Sequence, residues 1–362
     1  MHLDWIDRYK GLLIILVVMG HVIGGAVHLT TGLTQQVLHH AYLVIYSFHM
    51  PAFFFIAGLT WKDKGESLIS FARHKAKRLL VPYVVFGLLS TLLWAFMSGS
   101  AVSATADSAT TDYYATRLGS SVWTCLLGLL HAGGLSDGNG FRMNSVLWFL
   151  PCLFSVLLVY WGVRCARLVG LKILPVVVIC CILGVFSPRY FPHLPWGLSQ
   201  VPYYLLFVML GHALRDVMME PRIMNCLNGG RKVLVVFAAA IAFCFVVTRL
   251  PDPWVANIST FWWVVYLLVA AVGTVLFAFI AHIVRLRVLS ACGVASLGIM
   301  LIHKFPVVFL ELKVACVRQL FNTGAGGALG ATVGLTALVV ILCYCCFLLL
   351  RRVAPWAVGV RK

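Results

Sequence analysis

Charge is what this chain has least of. Only 11% of its 362 residues are Asp, Glu, Lys or Arg, while 62% are hydrophobic. That leaves too little polar surface to cover a soluble globule of this length. The shortage falls hardest on acids, with 11 Asp and Glu against 28 Lys and Arg. The few carboxylates lie outside the long apolar blocks or near their ends, so a proton pump built on a carboxylate relay has little to work with. No Walker loop and no H-E-x-x-H helix occurs, and without those phosphate and metal cradles the common ATPase and zinc-protease chemistries have no footing. The 12 Cys sit mostly inside apolar blocks, as Cys180, Cys181, Cys343, Cys345 and Cys346 do. A thiol there acts as a small hydrophobe, and neither a disulfide framework nor a metal site is expected.

What is present is a series of apolar blocks of about 20 residues, the length that carries a helix across a hydrocarbon core roughly 30 Å thick. Hydropathy places spans near 11–29, 40–60, 79–98, 145–165, 172–188, 198–216, 232–249, 260–284, 292–312 and 328–350. The expected fold is therefore all-α: a polytopic integral membrane helix bundle of about ten transmembrane helices, forming a single membrane-embedded domain over 1–362. The first block contains His21, is longer than a signal-peptide core and is followed by nine more blocks, so cleavage is not expected. The apolar run Val122 to Leu135 is too short to span and reads as interfacial or re-entrant. The preceding stretch SGSAVSATADSATTDYY, rich in small polar residues, reads as an outer loop without a core of its own.

A formal net charge of +17 would suggest nucleic acid in a soluble protein. Here the basic residues occupy the gaps between blocks, where topology explains them. Most fall in six segments: Arg8 with Lys10, Lys62 to Arg78, Arg164 to Lys172, Arg215 to Lys232, Arg285 with Arg287, and Arg351 to Lys362. All six lie on one side if the N-terminus is inside, so the positive-inside rule predicts both termini in the cytoplasm.

Ionisable side chains within hydrocarbon are costly, and three histidines qualify as functional candidates on that ground. His21 lies 11 residues after Lys10, roughly 16 Å from the cytoplasmic face at about 1.5 Å per residue. His49 lies 12 residues before Trp61, roughly 18 Å deep by the same rise. His303, 11 residues beyond Cys292, again falls roughly 16 Å in. Any one of them could simply bond to a neighbouring helix's carbonyl. Three at one depth point to a polar site at the membrane centre, because imidazole titrates near neutral pH and can take a proton from a hydroxyl. The basic run FARHKAKRLLVPY also has two readings, a topological anchor or a phosphate clamp. Arg73 and Lys77 share a helix face and Arg78 is adjacent, so the cluster could hold the phosphates of a nucleotide-like cofactor.

Four stretches taken together resemble the acyltransferase-3 family of membrane proteins, particularly its branch of sugar O-acetyltransferases similar to fucose 4-O-acetylase. They are DWIDRYKGLLIILVVMGHV, YSFHMPAFFFIAGLTW, FARHKAKRLLVPY followed by LWFLPCLF, and SLGIMLIHKFPVV. Their order and spacing match the family from the N-terminus through the ninth span. Two positions depart from it: Lys10 stands where many members have arginine, and Ala57 where a serine before glycine is usual.

The resemblance implies a ten-helix bundle that takes an acyl group, usually acetyl from cytoplasmic acetyl-coenzyme A, and delivers it to a hydroxyl of an envelope carbohydrate or glycolipid. Acetyl-coenzyme A is then a donor substrate, with no permanently bound cofactor and no metal, and a bacterial inner membrane is the natural setting. His21 takes the role of the essential histidine and His303 that of the late histidine. Lys10, Arg73, Lys77 and Arg78 are expected near the donor, and His49 and Trp148 line the site. Read physically, His21 is the expected general base, with His49 or His303 orienting it or donating to the oxyanion; a covalent acyl-histidine is a second possibility. A transporter or flippase of a polar lipid or sugar would also suit a polar midplane site, although no inverted repeat is visible. A scaffold without catalysis would leave the depth-matched histidines unexplained.

Overall fold

The computed structural model describes residues 4–100, 122–132, 144–168, 170–190, 194–220, 230–251, 260–313 and 319–360. The polar stretch expected as an outer loop lies, beyond Ser100, outside the described residues. Every regular element among them is a helix or a 3-10 turn. In lipid this follows from the backbone, because each N–H and C=O must find its partner within the segment.

The helices are α1 (Asp4–Val27), α2 (Gly32–Leu59), α3 (Leu68–Ser100), α4 (Val122–His131), α5 (Phe149–Cys165), α6 (Leu174–Tyr190) and α7 (Val201–Ala213). They continue with α8 (Arg215–Met219), α9 (Gly230–Val247), α10 (Thr260–Ile283), α11 (Arg287–Val294), α12 (Ser296–Ile302), α13 (Lys304–Lys313) and α14 (Ala325–Val353). Each of the ten apolar blocks is thus mainly helical over its described residues. Among the described residues, six helical segments are long and apolar enough to cross a membrane, or seven if the bent pair Arg287–Val294 and Ser296–Leu310 counts as one span. The remaining blocks are shorter. The 13 residues of α7 cover only about 20 Å at 1.5 Å per residue. Helix α4, at 10 residues, does not reach span length, as the sequence suggested.

The chain divides into two compact units, Met1–Lys64 with Tyr203–Leu349, and Gly65–Pro202 with Leu350–Lys362. In the first, α1 is the axis: it packs against α2, α10, α11, α12 and α13. Glycine makes its closest contact possible. A Cβ added at Gly11 would fall on the carbonyl oxygen of Leu289, and one at Gly293 on that of Asp7, so α1 and α11 touch backbone to backbone. The same reciprocal arrangement joins α2 to α7, where Gly58 faces the Val208 carbonyl and Gly211 that of Phe55. Helices in lipid gain nothing from hiding apolar surface from one another, so such small-residue contacts carry a large share of their association.

In the second unit α3 packs against α4, α5 and the terminal turn Pro355–Val358. Two side chains hold the short α4 by its last carbonyls: the Tyr83 hydroxyl donates to Leu129 O at 2.6 Å and Trp196 Nε1 to Leu130 O at 3.0 Å. Both occupy acceptors that a helix C-terminus otherwise leaves without donors. Trp196 and Gly197 adopt left-handed backbone angles, φ 59° and 65°. Gly197 fits because its α-carbon lies against Cys152, 2.8 Å from where an added Cβ would sit.

One expectation needs correction. The ninth block is not a straight span, because α11 and the helix beyond Ala295 are bent by 67°. Depth measured along one axis from Cys292 therefore does not locate His303. The two sides of the bend are held by different partners, Gly293 by the α1 backbone and Gly298 by the Phe347 ring of α14. No proline marks the place.

The backbone contacts set a stability test. Gly11→Leu and Gly58→Leu should each lower the melting temperature in detergent by several degrees or prevent folding, since overpacking alone costs about 1–3 kcal/mol and here the obstacle is backbone. Gly330→Leu, with nothing within 4 Å of an added Cβ, should leave it nearly unchanged. Equal losses at all three positions would remove the special role given to the two pairs.

Candidate functional site in the membrane helices

The first unit brings the three histidines of the sequence reading into one cluster. His21 of α1 and His303, at the junction of α12 and α13, have ring centroids 5.2 Å apart with planes inclined by 37°. Tyr46 of α2 joins them to the third: its hydroxyl lies 3.3 Å from His21 Nδ1, and its ring meets that of His49 edge-on with centroids 4.7 Å apart. Tyr42, one turn earlier, stacks on Tyr46 at 3.9 Å. Space for both tyrosines comes from glycines flanking His21. A Cβ at Gly20 would come within 2.8 Å of Tyr46, and one at Gly24 within 3.5 Å of Tyr42.

His49 and His303 are buried, and His21 is partly so. The hydrogen bonds determine where their protons are. His49 Nδ1 lies 2.8 Å from Ile45 O and His303 Nδ1 3.0 Å from Ile299 O, in each case the carbonyl one turn back on its own helix. A carbonyl can only accept, so Nδ1 is the donor in both rings and, in the neutral imidazole, Nε2 carries the lone pair. His303 Nε2 is buried with no hydrogen-bond partner, a costly state that an acceptor poised for an incoming proton would explain.

Lys304 follows His303 directly, and its ammonium acts electrostatically on both His21 and His303. It lies in the segment SLGIMLIHKFPVV but was not among the residues expected at the site. The signal was present: Lys304 is an ionisable residue inside an apolar block, the criterion that selected the histidines. Tyr46 was also missed, and no rule of residue type singles out a tyrosine among the chain's 12. Only its spacing, one turn before His49 on the same helix face, could have pointed to it.

The basic residues fall into separate groups. Lys10 belongs to the first unit and pairs with Asp7 of its own helix at 3.2 Å, 11 residues before His21. Beside it, Arg8 donates to the last carbonyls of α10, Ala281 O at 3.1 Å and His282 O at 3.3 Å, a favourable place for a cation. Arg73, Lys77 and Arg78 lie on the first turns of α3 in the second unit, all exposed. Their charges are open to an anion from solvent, with Arg73 and Lys77 on one face. Trp148, at the end of the turn Ser145–Trp148 in the same unit, meets Phe149 edge-on with centroids 6.5 Å apart. Among the described residues, no three His, Cys, Asp or Glu are grouped so as to hold a metal ion.

The cluster as built can accept a proton through imidazole nitrogens in an apolar, helix-lined setting. It also has a cation beside it for any negative charge that develops. A family model described as an acyltransferase domain matches residues 3–351. No curated protein and no solved structure matches the chain.

The unpartnered nitrogen of His303 generates a prediction. Because a buried polar atom without a partner costs about 1–3 kcal/mol, His303→Leu should leave the melting temperature unchanged or raise it by a few degrees in a thermal-shift measurement. A large drop would show that His303 is kept for packing or for a hydrogen bond that stabilises the fold.

Proposed function

Since the chain belongs to the acyltransferase-3 family of membrane acyltransferases, matched over residues 3–351, we propose that it moves an acetyl group from cytoplasmic acetyl-coenzyme A to a hydroxyl of an envelope carbohydrate or glycolipid. The family match carries the reaction class. The acceptor class follows the sugar O-acetyltransferase branch that the four motifs resemble. In this reading the chain sits in a bacterial inner membrane with both termini in the cytoplasm.

His21 is the general base. Its Nε2 takes the hydroxyl proton as the acceptor oxygen bonds to the thioester carbonyl. The carbonyl oxygen becomes an oxyanion in the tetrahedral intermediate, and the Lys304 ammonium offers the positive charge to stabilise it. Collapse breaks the carbon–sulfur bond, and the departing thiolate takes the proton from the His21 imidazolium. The products are the acetyl ester and free coenzyme A, with His21 restored. His303 and His49 flank the base, and their Nδ1 bonds to backbone carbonyls hold both rings in place. Donor phosphates are the natural ligands of the exposed Arg73, Lys77 and Arg78, with Lys10 adding charge at the start of α1. Trp148 is assigned to the acceptor on its family motif position. Apolar helices around the histidines keep out the water that would otherwise hydrolyse the thioester.

Membranes containing matched amounts of wild type and variants, given radiolabelled acetyl-coenzyme A, test this directly. Wild type should put label into envelope carbohydrate. His21→Ala should reduce it at least about a thousandfold, as loss of a proton-transferring group with its partners does. Lys304→Met should lower kcat by about 100-fold, the scale of removing one oxyanion partner. The double variant Arg73→Ala, Arg78→Ala should raise the donor KM severalfold with kcat retained. No label from wild type with a range of host glycans would favour a transporter of a polar lipid or sugar, and retained activity in His21→Ala would remove it as the base.

A further inference from the structure

Of the three clustered histidines, His21 alone directs its Nδ1 to a side chain. His49 and His303 place theirs on the carbonyls of Ile45 and Ile299, whereas His21 Nδ1 meets the Tyr46 hydroxyl at 3.3 Å. A backbone carbonyl fixes one tautomer permanently. A phenol can either donate or accept, so it accommodates both tautomers of His21 while holding the ring in one orientation.

Tyr46 is held from several sides. Its ring lies over Gly20, where even a methyl group would come within 2.8 Å of Cε2. Tyr42 stacks on it at 3.9 Å with planes 24° apart, and His49 closes its edge at 4.7 Å. All of these contacts come from α1 and α2, whose pairing is among the main packings of the first unit. The phenol oxygen therefore has little freedom to leave His21.

We propose that Tyr46 is the positioning residue for His21: the hydrogen bond between its hydroxyl and Nδ1 fixes the ring, and in the tautomer that donates Nδ1–H to the phenol oxygen the lone pair lies on Nε2, facing the acceptor hydroxyl. Gly20 is part of the same device, because its missing side chain admits the Tyr46 ring. The inference rests on the acyl-transfer reading for its catalytic consequence, but the hydrogen bond itself does not.

Two measurements on the full-length protein in detergent or nanodiscs keep those apart. The first is the 15N spectrum of protein labelled at histidine, with the His21 signals assigned by their loss in His21→Ala. Tyr46→Phe keeps the ring and its stacking but removes the oxygen, and it should shift the His21 Nδ1 and Nε2 resonances while leaving the melting temperature close to wild type. The second is steady-state acetyl transfer. Tyr46→Phe should lower kcat by about 10- to 100-fold, the usual cost of losing the group that orients an imidazole, with the donor KM within about twofold. Gly20→Ala, which displaces the ring, should lower kcat as well. The double variant should be no worse than Tyr46→Phe alone, because both changes break the same bond.

Unmoved histidine resonances in Tyr46→Phe would overturn the proposal. So would an unchanged kcat, or losses of Gly20→Ala and Tyr46→Phe that multiply. If the resonances shift but wild type transfers no acetyl group to any acceptor, the Tyr46–His21 pairing stands and the acyl-transfer reading is what falls.

Discussion

Backbone-to-backbone contact between helices is the constraint on which the first unit depends. Two helices can approach until their main chains touch only where neither carries a side chain, and α1 meets α11, as α2 meets α7, through reciprocal glycines. In lipid this packing does what burial does in water, since the tails are as apolar as the helix surfaces. The same principle operates at finer scale beside the histidines. Gly20 and Gly24 leave room for Tyr46 and Tyr42, and a polar cluster is thereby tucked against α1 without pushing the helices apart. Packing and site are parts of one arrangement, with α1 supplying both.

The chemistry gains from this tightness. Imidazole is a modest base, and its effectiveness depends on presenting one particular nitrogen in one direction. In the cluster two rings are tied to their own backbone and one to a neighbouring helix through Tyr46. A site built this way spends little free energy on organising itself when substrate arrives. The unpaired Nε2 of His303 and the ammonium of Lys304 are the kinds of feature that folding alone would select against. Their presence together is what makes the histidine cluster the candidate site.

Much of the fold was legible in the sequence. Apolar blocks announce themselves, and each of the ten proved mainly helical over its described residues, although only six or seven helices there reach span length. Residue count along a helix gives distance, and it put His21 and His49 at one depth; for His303, beyond the bend, the count did not apply, and that the three helices are neighbours came only with the fold. What the count could not supply was direction. The 67° bend beside Ala295 has no proline to signal it, arising where two partners hold adjacent turns. Partners are also what distinguish Gly11, Gly58, Gly211 and Gly293 from Gly326, Gly330 and Gly334, which have nothing within 4 Å of an added Cβ. One sequence lists both kinds alike. Tyr46 was hidden for the same reason: its importance lies in what it touches on another helix. Lys304 was legible and overlooked, since a lysine beside a membrane histidine meets the same energetic test as the histidine does.

The first unit is assembled from the two ends of the chain around a long middle. Arg8 of α1 hydrogen-bonds to a carbonyl 273 residues away, and the helix whose backbone fits Gly11 is made later still. At a synthesis rate of about 5–20 residues per second, α2 waits roughly 7–30 s for α7 and α1 roughly 15–60 s for α10 and α11. During that interval α1 must rest in lipid with its glycine face uncovered and its buried Asp7 sheltered only by Lys10 and what little of the chain exists. The pair of α1 and α2 is therefore an early intermediate that has to remain receptive. Ribosome pausing, insertase factors and chain-terminating mutations should all act on it before His303 has joined the other two histidines.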